Sequence, residues 1–246
     1  MAEPLYVGTD WAGGSWLAVA FAGETFEEAR VFDGIGDLWY HYEESARLVL
    51  ADVPIGLLEE GEEGREVEQL ARNVLGSRAA SVFTPPVREA TRKRRYPAAK
   101  RVNERKTGRG LSKQAFAISE AIAAVDELLQ ELPEARGTVR EAHPELCFRA
   151  FAGEPLEHSK KVAAGYGERM RALAEFDRDA PVVVQETAEA TAGHEVAVDD
   201  VLDAAVLAYT ARPGPGTLRT LPPEPPTDPT GVPMEMVYRA EAPLAE

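Results

Sequence analysis

The sequence contains one cysteine, Cys147, among 246 residues. A single cysteine excludes an internal disulfide and a cysteine-built zinc cluster. No apolar run reaches the roughly 18 residues that a membrane-spanning helix needs. Residues 1–4 show neither the basic region nor the apolar stretch of a secretory signal. We therefore expect a globular cytoplasmic protein with no membrane partner.

Several familiar site motifs are also missing. The chain has no Gly-x4-Gly-Lys phosphate loop and no Gly-x-Gly-x-x-Gly following a predicted strand. Neither Ser15 nor Ser159 lies in a nucleophile-elbow context. His143, between Glu141 and Pro144, suits either a general base or a hydrogen-bonded histidine at a strand end, and the other three histidines share no metal-ligand spacing. These absences argue against a Walker-type NTPase, a dinucleotide-binding enzyme, a serine hydrolase and a histidine-based metal site.

Positive charge is scarce and unevenly distributed. The chain has 42 acidic and 27 basic side chains, a net charge of −15, and 6 lysines against 21 arginines. Residues 88–113 alone carry +9, which leaves −24 on the rest. This composition fits a salt-adapted cytoplasm or, equally, an ordinary acidic surface. The basic stretch is a candidate phosphate-backbone contact or a solvated loop; the candidate nucleic-acid-binding residues are Arg92, Arg94, Arg95, Lys100, Arg101 and Lys113.

The first quarter of the chain favours strands. Four short β-type runs lie at residues 5–10, 16–21, about 28–32 and 48–53. Gly13-Gly14 predicts a hairpin between the first two, because a tight hairpin needs positive φ angles. The fourth run is apolar without alternation, which is typical of a strand buried on both faces. Residues 38–46 are predicted to be helical.

The remaining chain is mainly helical. Helices are predicted at residues 62–76, 112–132 and 199–211, and strands at 138–143 and 182–184. Ser112 and Asp199 are the expected helix N-caps. Residues 213–233 contain eight prolines and are predicted to form a linker or surface arm, followed by a possible edge strand at 234–238.

This element order predicts an α/β fold. We expect the mixed sheet of RNase H-like domains, with three antiparallel strands plus parallel strands, flanked by helices. The domain would span residues 1–212, with a helical and basic insertion at about 58–135. Residues 213–246 would form a proline-rich C-terminal arm.

Several acidic side chains are predicted to lie at strand ends and on the last helix, which is where a sheet of this kind carries its active-site residues. Asp10 and Asp52 each end a predicted strand, Glu141 lies within a later one, and Asp200 and Asp203 share a face of the last helix. Simpler interpretations remain for three of these acids. Asp10 suits a turn, Asp200 suits a helix N-terminus, and Glu141 suits an arginine partner, whereas Asp52 and Asp203 are harder to explain structurally.

Clustered carboxylates require protons or a cation. Two carboxylates about 4 Å apart repel by roughly 4 kcal/mol at an effective dielectric of 20. Oxygen-only ligands favour Mg²⁺ or Mn²⁺, and such ions support phosphodiester hydrolysis by water. The candidate catalytic residues are Asp10, Asp52, Glu141, Asp200 and Asp203, and the candidate metal ligands are Asp10, Asp52, Asp200 and Asp203.

Seven segments in order resemble the domain-of-unknown-function family 429, whose members are described as predicted nucleases of RNase H fold. They are Gly8-Thr9-Asp10, residues 51–57 (Ala-Asp-Val-Pro-Ile-Gly-Leu), 81–86, 111–116, 141–145, Ser159-Lys160-Lys161 with Gly165, and 199–204 (Asp-Asp-Val-Leu-Asp-Ala). The resemblance spans residues 6 to about 238. It implies the RNase H-like fold and a divalent-metal site at Asp10, Asp52 and the acids of the final helix, with no role assigned to Glu141 or Glu145.

Three functions follow as expectations. The first is a Mg²⁺- or Mn²⁺-dependent nuclease acting on DNA or RNA. The second is a non-catalytic nucleic-acid-binding or nucleotide-binding module on the same fold. The third is an ATPase-like protein in which Gly13-Gly14 cradles a phosphate. The sequence gives no prediction of the oligomeric state.

Overall fold

A computed structural model describes residues 3–245 of the chain. Met1 and Ala2, on which the expected lack of a secretory signal partly rests, lie outside the described residues, as does Glu246. Within residues 3–245, none of the helices combines the length and apolar character that crossing a bilayer would require.

A five-stranded mixed sheet forms the centre of the fold. Its strands are β1 (Leu5–Ala12), β2 (Ser15–Ala22), β3 (Thr25–Phe32), β4 (Ala46–Ala51) and β5 (Val139–Glu141). The spatial order is β3-β2-β1-β4-β5. The pairs β1–β2 and β2–β3 are antiparallel, whereas β4 is parallel to both β1 and β5. The predicted sheet of three antiparallel strands plus parallel strands is confirmed and is consistent with an RNase H-like arrangement.

Helices cover both faces of this sheet. They are α1 (Ile35–Tyr42), α2 (Glu66–Leu75), α3 (Arg88–Thr91), α4 (Tyr96–Thr107), α5 (Lys113–Ala117), α6 (Ser119–Glu131), α7 (Pro144–Ala152), α8 (Ala163–Phe176), α9 (Ala180–Ala190) and α10 (Val198–Ala211). The alternation along β2 divides the core: Trp16 and Ala18 pack with α1 and α6, whereas Leu17 and Val19 pack with α7 and α10. Two hydrophobic layers therefore enclose the sheet.

The predicted strand at residues 182–184 is wrong, because these residues lie in α9. Pro181 occupies the first turn, where its missing N–H costs nothing. The buried side chains Val183, Val184 and Thr187 follow helical spacing. A short apolar run cannot distinguish a strand from the buried face of a helix.

The two predicted N-caps have different outcomes. Ser112 caps α5, since its Oγ accepts a hydrogen bond from the Ala115 amide at 3.0 Å. The expectation for Asp199 is wrong: α10 begins one residue earlier, and Ala197 occupies the cap position. Asp200, at the third helical position, instead accepts the Ala197 amide at 2.9 Å.

The proline-rich segment contains a strand that the sequence does not predict. Strand β6 (Thr217–Leu221) pairs with β7 (Met236–Ala240) in a separate two-stranded antiparallel sheet. The edge strand predicted at 234–238 is therefore present as β7, and it pairs with β6 rather than extending the main sheet. A single bridge between Ala142 and Val237 links β7 to the residue that follows β5.

Candidate metal centre

The parallel pairing of β1 and β4 brings Asp10 and Asp52 together. Thr9 is opposite Ala51 in the ladder, so each aspartate is the next residue on its strand. The Asp52 amide donates a hydrogen bond to the Thr9 carbonyl at 3.0 Å, which continues the pairing to this point. Two aspartates 42 positions apart thus lie side by side at the carboxyl end of the parallel strands.

Close packing of α10 against β1 adds Asp203. A Cβ atom on Gly8 would lie 2.0 Å from the Ala208 amide nitrogen and 2.4 Å from the Ala204 carbonyl oxygen. Only glycine at position 8 lets the helix backbone approach the strand this closely. Helix α10 is buried from Val201 to Ala211, and Asp203 lies on it beside the two strand-end aspartates.

The three aspartates form a compact cluster in which Asp10 and Asp203 are buried and Asp52 is half-buried. One carboxylate oxygen from each of Asp10, Asp52 and Asp203 lies within 4.8 Å of the other two. Asp10 is 6% exposed and Asp203 2%. The cluster borders a cleft of about 240 Å³ that is also lined by His143, Glu145 and other side chains. Position, burial and shared access to one cleft make this the candidate functional site.

Burial and mutual repulsion raise the pKa of each aspartate. Burial, followed by the charges of Asp52 and Asp203, raises the pKa of Asp10 well above its usual value. Burial raises the pKa of Asp52 to about 6, against the opposing effect of Lys160. Burial raises the pKa of Asp203 to about 7, again opposed by Lys160. Without a cation, the cluster therefore holds protons near neutral pH.

Lys160 is a site residue to which the sequence alone assigns no role. Its ammonium is ion-paired with Asp203 and lies 3.6 Å from Asp199. Although burial disfavours its charged form, Asp203 raises the pKa of Lys160 above the usual value. Three ionised aspartates and one ammonium leave a charge of −2, which matches a divalent cation.

Contacts with helix α8 hold the segment that carries Lys160 in place. A Cβ atom on Gly165 would lie 2.0 Å from the Ser159 carbonyl oxygen, so only glycine allows the segment to cross α8 there. Arg169 donates hydrogen bonds to the carbonyls of His158 and Gly165 at 3.2 and 2.7 Å. Arg169 also pairs with Glu145, which gives that glutamate a structural partner.

Asp200 lies at the margin of the cluster. It lines the cleft and contributes to the raised pKa of Asp10. One of its carboxylate oxygens accepts the Ala197 amide at the start of α10. Asp200 is not among the three aspartates that converge within 4.8 Å. Its predicted metal role remains a prediction, and its observed contact is helix capping.

The structure places Glu141 in a separate buried ion-pair network. Arg65 donates to both Glu141 carboxylate oxygens at 2.9 Å, and the Ile55 amide donates to one of them at 2.7 Å. Glu68 also pairs with Arg65. Glu141 borders the same cleft, but both of its oxygens are engaged. This arrangement matches the arginine-partner interpretation more closely than the catalytic one.

Substituting Glu141 separates these two interpretations. We expect Glu141→Gln to destabilise the fold by about 2 kcal/mol, because a buried charge-assisted hydrogen bond to Arg65 is weakened. The rise in melting temperature caused by Mn²⁺ should stay at the wild-type value. Thermal denaturation with and without Mn²⁺ measures both quantities. Loss of the Mn²⁺ effect with an unchanged melting temperature would instead make Glu141 a site residue.

The basic stretch is folded. It forms α3 and α4, with Ala99 and Val102 of α4 buried. Arg92 pairs with Asp126 and Glu127, and Lys100 pairs with Glu104. The other four candidate nucleic-acid-binding residues are exposed and form no ion pair within residues 3–245; these are Arg94, Arg95, Arg101 and Lys113.

The donor chemistry of the cluster fits a hard divalent cation. Its ligand atoms are carboxylate oxygens, which Mg²⁺ and Mn²⁺ prefer. Within residues 3–245, this group of converging ligand atoms contains no cysteine or histidine, so the cluster offers carboxylate oxygens alone. The residues that would hold the ion are Asp10, Asp52 and Asp203, with Asp200 at the margin.

Comparison with known proteins yields one family. No curated protein and no solved structure gives a significant match to the chain. The family model described as "Protein of unknown function (DUF429)" matches residues 8–227. This range includes all three clustered aspartates, Lys160 and the basic stretch. The match covers most of the sequence, and the chain therefore belongs to the DUF429 family.

Proposed function

We propose that this protein is a divalent-metal-dependent nuclease that hydrolyses phosphodiester bonds with Mg²⁺ or Mn²⁺. The observation that carries the proposal is the convergence of Asp10, Asp52 and Asp203 within 4.8 Å beside a cleft. A buried cluster of this charge is costly unless a cation or protons neutralise it. Its position at the carboxyl end of parallel strands is where open α/β sheets bind their ligands.

The chain's own residues have distinct tasks in this reaction. Asp10, Asp52 and Asp203 would hold the cation, which when bound lowers the pKa of a water and offsets charge on the phosphate. The water oxygen forms a bond to phosphorus as the P–O bond to the leaving oxygen breaks. The water gives up one proton to solvent and the leaving oxygen takes one up from solvent, so the products are a phosphate monoester and a hydroxyl. The Lys160 ammonium donates a charge-assisted hydrogen bond to a phosphate oxygen of the substrate, because it already lies beside Asp203.

Surface features beside the cleft support a nucleic-acid substrate. Ile118 lines the cleft, and its neighbours Phe116 and Ala117 line a second groove together with Arg92 and Arg94. A strand leaving the carboxylates past Ile118 would reach the exposed guanidinium of Arg94, which forms no ion pair within residues 3–245; guanidinium groups bind phosphates well. The proximity of this groove to the cleft supports nucleic acid over a small phosphodiester despite the net charge of −15.

A cleavage assay tests the proposal. Single-stranded, duplex, hybrid and branched substrates are incubated with Mn²⁺ at low and at molar KCl, with chelator controls. We expect cleavage of at least one substrate class, lost in chelator and in Asp10→Asn. Failure of the folded wild-type protein to cleave any member of the panel would contradict the proposal.

The pH dependence of metal binding is a separate expectation. Asp52 and Asp203, with pKa values of about 6 and 7, are largely protonated at pH 5.5 and ionised at pH 8. These raised pKa values mean that the metal-free fold loses stability as pH rises from about 4 to 7. A divalent ion reverses that loss, because it displaces the protons.

Thermal denaturation at the two pH values measures the effect. At a hundredfold excess over its Kd, Mn²⁺ stabilises by about 2.7 kcal/mol, which corresponds to a rise of about 5–10 °C in Tm. We expect this rise at pH 8 and less than half of it at pH 5.5. An equal rise in Tm at pH 5.5 and pH 8 would show that Mn²⁺ binds outside the aspartate cluster.

One observation favours a non-catalytic module as the second candidate. The ammonium of Lys160 already neutralises part of the cluster, so the fold can tolerate these aspartates without a cation. In that case Mn²⁺ would neither stabilise the protein nor support cleavage, and Lys160→Met would destabilise the fold strongly at pH 8. Cleavage lost in Asp10→Asn excludes this candidate.

A further inference from the structure

An exposed apolar patch lies directly beside the aspartate cluster. Among residues 3–245, five large hydrophobic side chains are exposed, and three of them, Val162, Tyr166 and Val198, line one groove. Tyr166 is 38% exposed and Val198 64%. The patch lies where the first turn of α8 faces the first turn of α10. Clustered exposure of this kind marks a binding surface more often than scattered surface residues do.

This groove is continuous with the cleft. Lys160 and Asp200 line both. Lys161, exposed and next in the chain, lines the groove only. The two acids in the groove have partners, since Asp199 lies 3.6 Å from Lys160 and Asp200 accepts the Ala197 amide. Lys161 forms no ion pair within the described part of the chain, so its ammonium is available to an anionic ligand.

We propose that this groove is a subsite for one unpaired nucleobase adjacent to the scissile phosphate. The inference rests on the proposed nuclease function and specifies its substrate class. The Tyr166 ring stacks on the base, Val162 and Val198 contact its edges, and Lys161 contacts a flanking phosphate. A base can stack on a side chain only when it is unpaired and unstacked from its neighbour. The substrate is therefore single-stranded, or opened, at the cleavage position.

Cleavage of strands with one missing base tests this subsite. Base–aromatic stacking is worth about 1–3 kcal/mol, so Tyr166→Ala should lower kcat/KM for a single strand about 5- to 150-fold. An abasic position scanned along the substrate should cause the same loss in the wild type at one position next to the cut. In Tyr166→Ala that abasic position should cause no further loss. Tyr166→Phe should retain wild-type cleavage.

Two controls separate stacking from general effects. Tyr40→Ala removes a tyrosine that is 79% exposed on α1 and should leave kcat/KM unchanged. Lys161→Gln should weaken binding at low salt and reduce the salt dependence by about one counterion. Binding of a fluorescent single strand, followed by anisotropy in parallel, supplies a readout that does not require cleavage.

The outcomes distinguish the subsite from the nuclease function. Cleavage that is unaffected by Tyr166→Ala, or a preference for fully paired duplex, would overturn the subsite and leave the nuclease function standing. Strand binding that depends on Tyr166 without any cleavage would overturn the nuclease function and retain the subsite. The absence of both cleavage and Tyr166-dependent strand binding would overturn the subsite and the nuclease function. Association of two copies of the chain through this groove would overturn the subsite and assign the groove to a protein partner.

Discussion

Replacing Asp52 with asparagine is expected to abolish metal-dependent hydrolysis while leaving the fold intact. Changes to groups that only support a metal ligand cost about 10- to 100-fold, so loss of a direct ligand should exceed about 100-fold in kcat/KM. The metal-free variant should melt no lower than the wild type at pH 8. One of the mutually repelling carboxylates is removed, and burial already disfavours its charge.

The same variant should lose the Mn²⁺-induced rise in melting temperature. Cleavage kinetics and thermal denaturation, each with and without Mn²⁺, measure the two effects. Asp33→Asn is a matched control, because Asp33 is exposed and belongs to no described cluster. Wild-type turnover in Asp52→Asn would remove this aspartate from the proposed site.

A methyl group at position 8 should disrupt the contact that positions Asp203. In Gly8→Ala the new Cβ would lie within 2.4 Å of two backbone atoms of α10, and backbone cannot rotate away as a side chain can. Overpacking usually costs 1–3 kcal/mol and occasionally more, so we expect about 3 kcal/mol or above. The helix must move outward, which separates Asp203 from the strand-end aspartates and weakens Mn²⁺ binding at least tenfold.

Chemical denaturation and Mn²⁺ titration at low temperature measure these two effects. Gly36→Ala supplies the control, because a Cβ there meets no atom within 4 Å and alanine favours the helix. Should Gly8→Ala match the wild type in both stability and Mn²⁺ affinity, close packing of α10 would not be what builds the site.

The sheet and its paired aspartates are predictable because their signals are local. The Gly13-Gly14 turn, the β-type run at residues 16–21 and the unalternating run that contains Asp52 each lie within about ten residues. Parallel pairing then follows from the element order, and it places Asp10 beside Asp52. Asp203 follows from its position on a helix that also carries an apolar face.

The partners that the sequence could not identify depend on distant contacts. Glu141 meets Arg65 from 76 positions away, and Lys160 meets Asp203 from 43 positions away. No local periodicity encodes either pair. Position 8 requires glycine because helix α10, about 200 residues later in the chain, packs directly on its backbone. Strand β6 lies among prolines that favour an arm, and its pairing with β7 overrides that composition.

Anomalous diffraction from crystals soaked in Mn²⁺ at pH 8 tests most directly whether the cluster is a metal centre. We expect an anomalous peak among the carboxylates of Asp10, Asp52 and Asp203, absent from crystals of Asp52→Asn. No peak there at saturating Mn²⁺, with Lys160 still paired to Asp203, would contradict a metal centre and assign the cluster a structural role.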